Sequence, residues 1–499
     1  MSDNKTAAAK TSNVFSIGER AVRQMVVEAE VVRTVAGVLG REPKPGEKLN
    51  GMEPGGWVPD MLGLPPDCPV RPLGVSGDRL WFLDAIGQVR ALDPPYGKGH
   101  VLGLFCGKID YLTWAWPRWG KEKLINGFAN EEAAAALIKS CATKGPWEAI
   151  DKVRGRGCWT DGGGNLVVHT GDRIYIGGRA EEPGEFDGYV YPTRGRIPRP
   201  FKRADDIPFS PAQILRPALR TWNWVRPEID PHLLLGWIGA GFLGGALPWR
   251  PMAFITGDKG TGKSTLQALV KGLFGDWLIQ SADTTAAGLY QHIGLDSVPI
   301  GVDELESEAD VRKQQAVLKL ARLASSGAAM LRGGDRHKGV EFNARSAFLF
   351  SSINAPPLPP QDLSRMALLR LDKLRPGQSA PSIDPQVFGA VGRCILTRLI
   401  AEWPRFEQTF LAFAGELAEA GMDGRGQAQF GTLLTCADMI EFEGWDEARL
   451  RFPLHEAGDL VSWRDILAPR DMVEFEDMME NWRLCVEHLL SVRVDAWRG

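Results

Sequence analysis

Residues 252–274 confine the fold more than any other stretch of this sequence. An apolar run, Met252–Thr256, leads into Gly257-Asp258-Lys259-Gly260-Thr261-Gly262-Lys263-Ser264, and helical spacing follows to about Phe274. The octapeptide fits G-x-x-x-x-G-K-[ST] at every position. Its glycines let successive backbone N–H groups curl around phosphate oxygens, and the helix that follows turns its positive dipole end to the same point. Strand, loop and helix in that order predict a parallel sheet with helices on its faces. The neighbouring sequence keeps the alternation. Strands are expected at Trp277–Ser281, Val298–Val302, Ala347–Ile353 and Met366–Leu371, with helices near Ala286–Ile293 and Glu308–Ala324.

On this reading Gly257, Asp258, Lys259, Gly260, Thr261, Gly262, Lys263, Ser264 and Thr265 hold the phosphates of ATP. Lys263 is expected to reach the β- and γ-phosphates, and the Ser264 hydroxyl to ligate Mg²⁺. A second motif, Val298-Pro299-Ile300-Gly301-Val302-Asp303-Glu304, is an apolar strand ending in two acids. That puts carboxylates at the C-terminal edge of the sheet, where open α/β sheets bind ligands. Asp303 is expected to hold Mg²⁺ through its water shell, and Glu304 to orient and deprotonate the attacking water. The plainer alternative is that both acids cap the next helix; Glu306 and Glu308 read as that helix's N-terminal charges. Asn354 ends the strand Ala347–Ile353 and is placed to sense the γ-phosphate or hold the water. Its alternative is a turn residue before Ala-Pro-Pro.

Between these elements lies Ala329–Phe342, in which two short flanks surround a Gly-rich turn carrying Arg336, His337 and Lys338. It reads as a β-hairpin with a basic tip. Taken with Gly257–Ser264, Asp303-Glu304, Asn354 and Asp362–Arg365, the chain resembles superfamily 3 helicases over about Arg226–Leu374. The likeness is greatest to the poxvirus- and phage-type primase-helicases of the AAA+ class. The resemblance implies an α/β AAA+ core assembled as a hexameric ring, with the hairpin tip gripping single-stranded DNA. It further implies an arginine finger reaching the neighbouring subunit's nucleotide, with Arg365 the first candidate and Arg370 the second. Replication of a phage or mobile element is the implied setting. A separate primase or initiator is a possible partner, because no paired-carboxylate primase site stands out in residues 1–225. His100, Asp110, His169 and Asp172 are isolated there, and each reads as structural.

The remaining sequence divides around this core. Residues 1–66 read as a polar tail without the apolar stretch of a signal peptide, a helix near Ile17–Leu39 and a Gly/Pro-rich loop. Residues 67–210 form a β-rich accessory α+β region, with strands expected at Leu80–Leu83, Val101–Phe105, Leu166–His169 and Arg173–Ile176. One helix, Asn130–Thr143, with Asn130 as its cap, interrupts them. Pro192–Pro211, with Arg194, Arg196, Arg199, Lys202 and Arg203, reads as a linker, either a solvated cationic connector or a nucleic-acid contact. Trp222 and Trp224, beside Arg220 and Arg226, are candidates for base stacking or for the core. Residues 211–375 are the ATPase domain, and residues 376–499 a helical C-terminal region with apolar periodicity at Val387–Trp403, Phe410–Ala420 and Met479–Leu490.

A formal net charge of -4 on 499 residues excludes a uniformly basic nucleic-acid binder, so any such surface is local. The seven cysteines form no C-x-x-C pair, which argues against a zinc ribbon and a secreted disulfide scaffold. The apolar run Leu233–Pro248 is broken by glycines and falls short of the roughly 18 residues of a membrane span. A cytoplasmic protein without membrane contact is expected. Two rivals share the phosphate site: a DNA-packaging motor, and a regulatory AAA+ switch or loader that does not unwind DNA. The packaging motor needs a metal-binding nuclease framework after the ATPase, and no strands are expected there to build one.

Overall fold

The computed structural model describes residues 51–150, 152–202, 207, 210–282, 284–303, 311–328, 330–333, 339–353, 365–375, 382–454, 459–462 and 486. At its centre is a five-stranded parallel sheet. We label its strands β1 (Met252–Thr256), β2 (Ile279–Ser281), β3 (Ile300–Val302), β4 (Phe348–Ser352) and β5 (Met366–Arg370). Their spatial order is β2-β3-β4-β1-β5.

Alternation of side chains along each strand sends apolar groups to both faces. Ala253 and Ile255 of β1, Leu349 of β4, and Ala367 and Leu369 of β5 join the larger core cluster. Met252 and Phe254, Phe348 and Phe350, Ile300 and Val302, and Met366 fill a smaller one on the opposite side. The larger cluster is built with helices α1 (Asp230–Leu243) and α2 (Lys263–Phe274), and the smaller with α3 (Ala286–Ile293) and α4 (Val311–Ser326). The strand expected from Trp277 begins at Ile279, because Gly275–Trp277 forms a 3₁₀ turn and buries Trp277.

Helix α1 is buried on every side, which explains its lack of a polar face. Beyond the sheet, α5 (Pro385–Glu402), α6 (Phe406–Glu419) and α7 (Gly424–Glu441) complete the larger cluster. Helix α7 was not expected. Its backbone lies against α1 so closely that a Cβ at Gly236 would stand 2.0 Å from the Leu433 carbonyl oxygen. After it, Arg451–Leu454 and Asp459–Ser462 pair as an antiparallel hairpin, so the C-terminal region is not wholly helical as expected. Of Met479–Leu490, only Val486 lies within the described residues.

The accessory region has two parts. Residues 51–150 surround their own core, which includes Phe82, Phe105, Trp114, Trp116 and Leu137. Val101–Phe105, expected as a strand, falls in and just after the helix Lys98–Leu104. Val101 and Leu104, three residues apart, point into that core together. The helix Asn130–Lys144 starts after Ala129, so Asn130 is its first residue and not its cap.

Residues 157–181 form a four-stranded antiparallel sheet whose Cys158, Leu166 and Val168 belong to the larger core cluster of the parallel sheet. A parallel bridge between Gly157 and Ser297 and the bidentate Arg156–Asp296 ion pair fasten this sheet to the chain entering β3. The expected linker is packed too. Ile197 is buried, the Pro198 carbonyl accepts from the Trp277 indole, and the Phe201 N–H donates to Thr397 Oγ1. Among its cations, Arg199 pairs with Asp172, and its carbonyl accepts from Arg393.

Candidate functional site

The loop after β1 is shaped by how closely other backbone approaches it. A Cβ at Gly257 would lie 2.3 Å from the Leu371 carbonyl oxygen, so only glycine fits where the loop leaves the sheet. Gly262 stands at φ 86°, in the left-handed region that glycine occupies without steric strain, and it caps α2. The Trp222 indole N–H donates to the Gly262 carbonyl at 3.0 Å. Trp222 is buried, as is Trp224, whose indole donates to the Leu219 carbonyl. Both are core residues, and Trp222 also braces the loop, a role no local pattern announces.

Asp258, Lys259, Gly260 and Ser264 are exposed. The Lys263 ammonium lies across the loop, donating to the carbonyls of Gly257 and Asp258. Thr261 is buried and donates to the Asp258 carbonyl. No acidic residue occupies the first turn of α2, so its N-terminal dipole is not offset locally. Tight glycines, a helix N-terminus, an adjacent ammonium and an exposed hydroxyl are the chemistry a triphosphate needs.

Asp303 follows β3 directly, and its N–H donates to the Ser281 carbonyl at the end of β2. Its carboxylate Oδ1 accepts from Gln267 Nε2 at 2.7 Å and from Ser351 Oγ at 2.7 Å. Gln267 also donates to Ser351 Oγ at 2.5 Å. Gln267 sits on α2, three residues after Ser264, and Ser351 on β4. The three side chains therefore tie α2 to the edge of the sheet and fix the carboxylate. Neither Gln267 nor Ser351 was read from sequence as part of a site. Two buried serines, Ser351 and Ser352, closing an apolar strand were the available signal.

The paired strands Met330–Gly333 and Gly339–Phe342 form the expected hairpin. Its tip, Arg336, His337 and Lys338, lies outside the described residues, as do Glu304 and Asn354. Arg365 precedes β5 and faces the Trp249 ring, its guanidinium carbon 5.9 Å from the ring centroid. Met366 pairs with Met252 and Arg370 with Thr256 in the parallel register. Arg365 is thus at the edge of the sheet opposite the phosphate loop, about 16 Å away along five residues of strand. That is farther than an arginine side chain reaches, so Arg365 does not meet its own glycine-rich loop. Arg370 stands at the same edge as the loop.

In the accessory region His169 is fully buried, its Nδ1 2.9 Å from the Gly155 carbonyl oxygen. Burial lowers its pKa below the usual histidine value. Asp172 pairs with Arg199, and His100 Nδ1 accepts from the Gly97 N–H. Among the described residues, no group of three or more His, Cys, Asp or Glu side chains is arranged to hold a metal ion. Among those residues, too, no helix is long and apolar enough to cross a membrane.

No family model matches this chain, and no curated protein matches it. Among solved structures it is similar to two that are each described as the A form apo structure of the NrS-1 C-terminal region. One, of residues 305–718, shares 13% identity at a TM-score of 0.30, covering 57% of this chain and 87% of that one. The other shares 11% identity at a TM-score of 0.34, covering 74% of this chain and 87% of that one.

Proposed function

We propose that this chain is a P-loop ATPase of the AAA+ type that moves along single-stranded DNA. The observation carrying the ATPase reading is the joining of two motifs at one sheet edge. Gly257–Ser264 and Asp303, the latter 39 residues beyond Ser264 in sequence, are linked through Gln267 and Ser351. The strand order β2-β3-β4-β1-β5, with phosphate loop after β1 and carboxylate after β3, supports the AAA+ assignment.

In this reading the loop N–H groups and the α2 dipole bind the triphosphate, and Lys263 leaves the Gly257 and Asp258 carbonyls to meet it. Ser264 and Asp303 would hold magnesium, which when bound offsets charge on the β- and γ-phosphate oxygens. Glu304 takes the proton from the attacking water, and Asn354 orients that water. Arg365 acts on a neighbouring subunit, which matches its separation from its own loop. That role requires an assembly in which one subunit's β5 edge meets the next subunit's phosphate loop, as in a hexameric ring.

Movement on single-stranded DNA is supported by the resemblance set out above and by the hairpin of residues 330–333 and 339–342 standing before β4. The setting proposed is replication of a phage or mobile element. The test is ATP turnover by the full chain with and without single-stranded DNA, beside a strand-separation assay. Stimulated turnover and unwinding are expected. Turnover that DNA leaves unchanged, with no unwinding, would favour the regulatory switch.

A further inference from the structure

A second feature with the chemistry of a nucleic-acid contact lies far from the phosphate loop in sequence. Pro117–Trp119 and Ile125–Phe128 pair as a short antiparallel hairpin. Its base is anchored. Trp116 and Phe128 are buried in the core of residues 51–150, and the Trp116 carbonyl accepts from the Ala129 N–H at 2.7 Å. Trp116 also meets Trp57 and Phe105 edge to face.

The tip is the reverse. Every residue from Arg118 to Leu124 is exposed, including Trp119 at 55% and Leu124 at 66%. Arg118, Lys121 and Lys123 are cationic, and Glu122 is the single acid among them. The turn is closed by the Gly120 N–H donating to the Leu124 carbonyl at 2.8 Å. Glu122 and Lys123 both hold positive φ, 61° and 59°, an arrangement uncommon for residues other than glycine. The Arg118 guanidinium donates to the Asn126 carbonyl, which steadies it across the hairpin.

We infer that this hairpin is a binding site for single-stranded nucleic acid, separate from the basic hairpin before β4. Leaving a tryptophan half in water forgoes the burial that the neighbouring tryptophans obtain. A ring so presented, with cations on both sides of it in sequence, matches an unstacked base flanked by phosphates. A duplex hides its base faces, so a single strand is the occupant the ring selects. The contacts carry little base preference, because every base offers a π-face. Binding here does not need ATP, so the inference is tested apart from the motor reading.

The experiment is fluorescence anisotropy of labelled oligothymidylate and oligouridylate with the full chain, without nucleotide, over a range of salt. Trp119→Ala is expected to weaken binding roughly fivefold to a hundredfold, and Trp119→Phe to restore much of it. Lys121→Ala with Lys123→Ala is expected to lower the log–log salt slope by about 0.7 for each phosphate no longer neutralised. The thermal unfolding midpoint should stay near the wild-type value in all three variants, which reports that each is folded. Unchanged affinity in Trp119→Ala overturns the inference. So does an unchanged salt slope in the double variant. Tryptophan, leucine and lysine together also suit a membrane surface. Trp119-dependent binding to phosphatidylserine vesicles, with oligonucleotide binding unaffected, would replace the site proposed here with that one.

Discussion

Replacing Gln267 by Met tests how the Asp303 carboxylate is held. Methionine keeps the length and the helix propensity of glutamine but removes the donor to Asp303 Oδ1 at 2.7 Å. Hydrogen bonds to charged groups are worth about 1.5–3 kcal/mol, and partners that orient a metal-binding group change affinity or activity about 10- to 100-fold. Ser351 still donates to the same oxygen at 2.7 Å in this variant, so a loss near the lower end, about tenfold, is expected. It should appear as a higher half-saturating Mg²⁺ concentration in a turnover assay, with binding of magnesium-free nucleotide unchanged. Ser351→Ala should act in the same direction. The double variant should lose more than the product of the single losses, because each donor holds the carboxylate when the other is removed. Wild-type Mg²⁺ dependence in both single variants would refute the idea that these residues position Asp303.

Lys263→Ala should abolish ATP hydrolysis and weaken nucleotide binding while the thermal unfolding midpoint stays near the wild-type value; near-normal turnover would remove the nucleotide-site assignment. Glu304→Gln should still bind nucleotide yet turn over orders of magnitude more slowly, read by single-turnover kinetics, and normal hydrolysis would place the base elsewhere. Arg365→Ala should lose activity alone and regain part of it when mixed with Lys263→Ala, since mixed assemblies contain some intact interfaces; no rescue despite verified subunit exchange counts against action in trans. His169 is held neutral by burial, which lowers its pKa from an unfolded value near 6.5. As pH falls below about 6.5 the unfolded chain takes up a proton that the folded chain resists, so stability drops with acidification. In His169→Asn the urea midpoint should fall less between pH 7 and 5 than in the wild type, and parallel pH curves would show that His169 does not titrate on unfolding.

The strand, glycine-rich loop and helix of residues 252–274 were legible because the loop's shape answers to local demands. Gly257 admits no Cβ beside the Leu371 carbonyl, and Gly262 needs positive φ before α2 begins. The strand ending in Asp303 was legible for a similar reason, an apolar run that stops abruptly in acid. Gln267, Ser351 and Trp222 were not, because each is defined by a partner on another element. The segment 192–202 read as a linker because proline and arginine dominate it. Its burial depends on Trp277 and Thr397, up to 196 residues away. Helix α7 was hidden by Gly424, Gly426 and Gly431, of which Gly431 lets α6 approach, its added Cβ meeting Phe410 at 3.2 Å. Val101–Phe105 shows the ambiguity of a short apolar run, which periodicity alone does not divide between strand and helix.

The most direct measurement is imaging of single particles of the full chain with single-stranded DNA and a non-hydrolysable ATP analogue. A closed ring around one strand is expected, with nucleotide on Gly257–Ser264 of one subunit and Arg365 of the next subunit against its γ-phosphate. Nucleotide-bound particles that remain monomeric, or a ring whose Arg365 side chains lie away from every nucleotide, would contradict it.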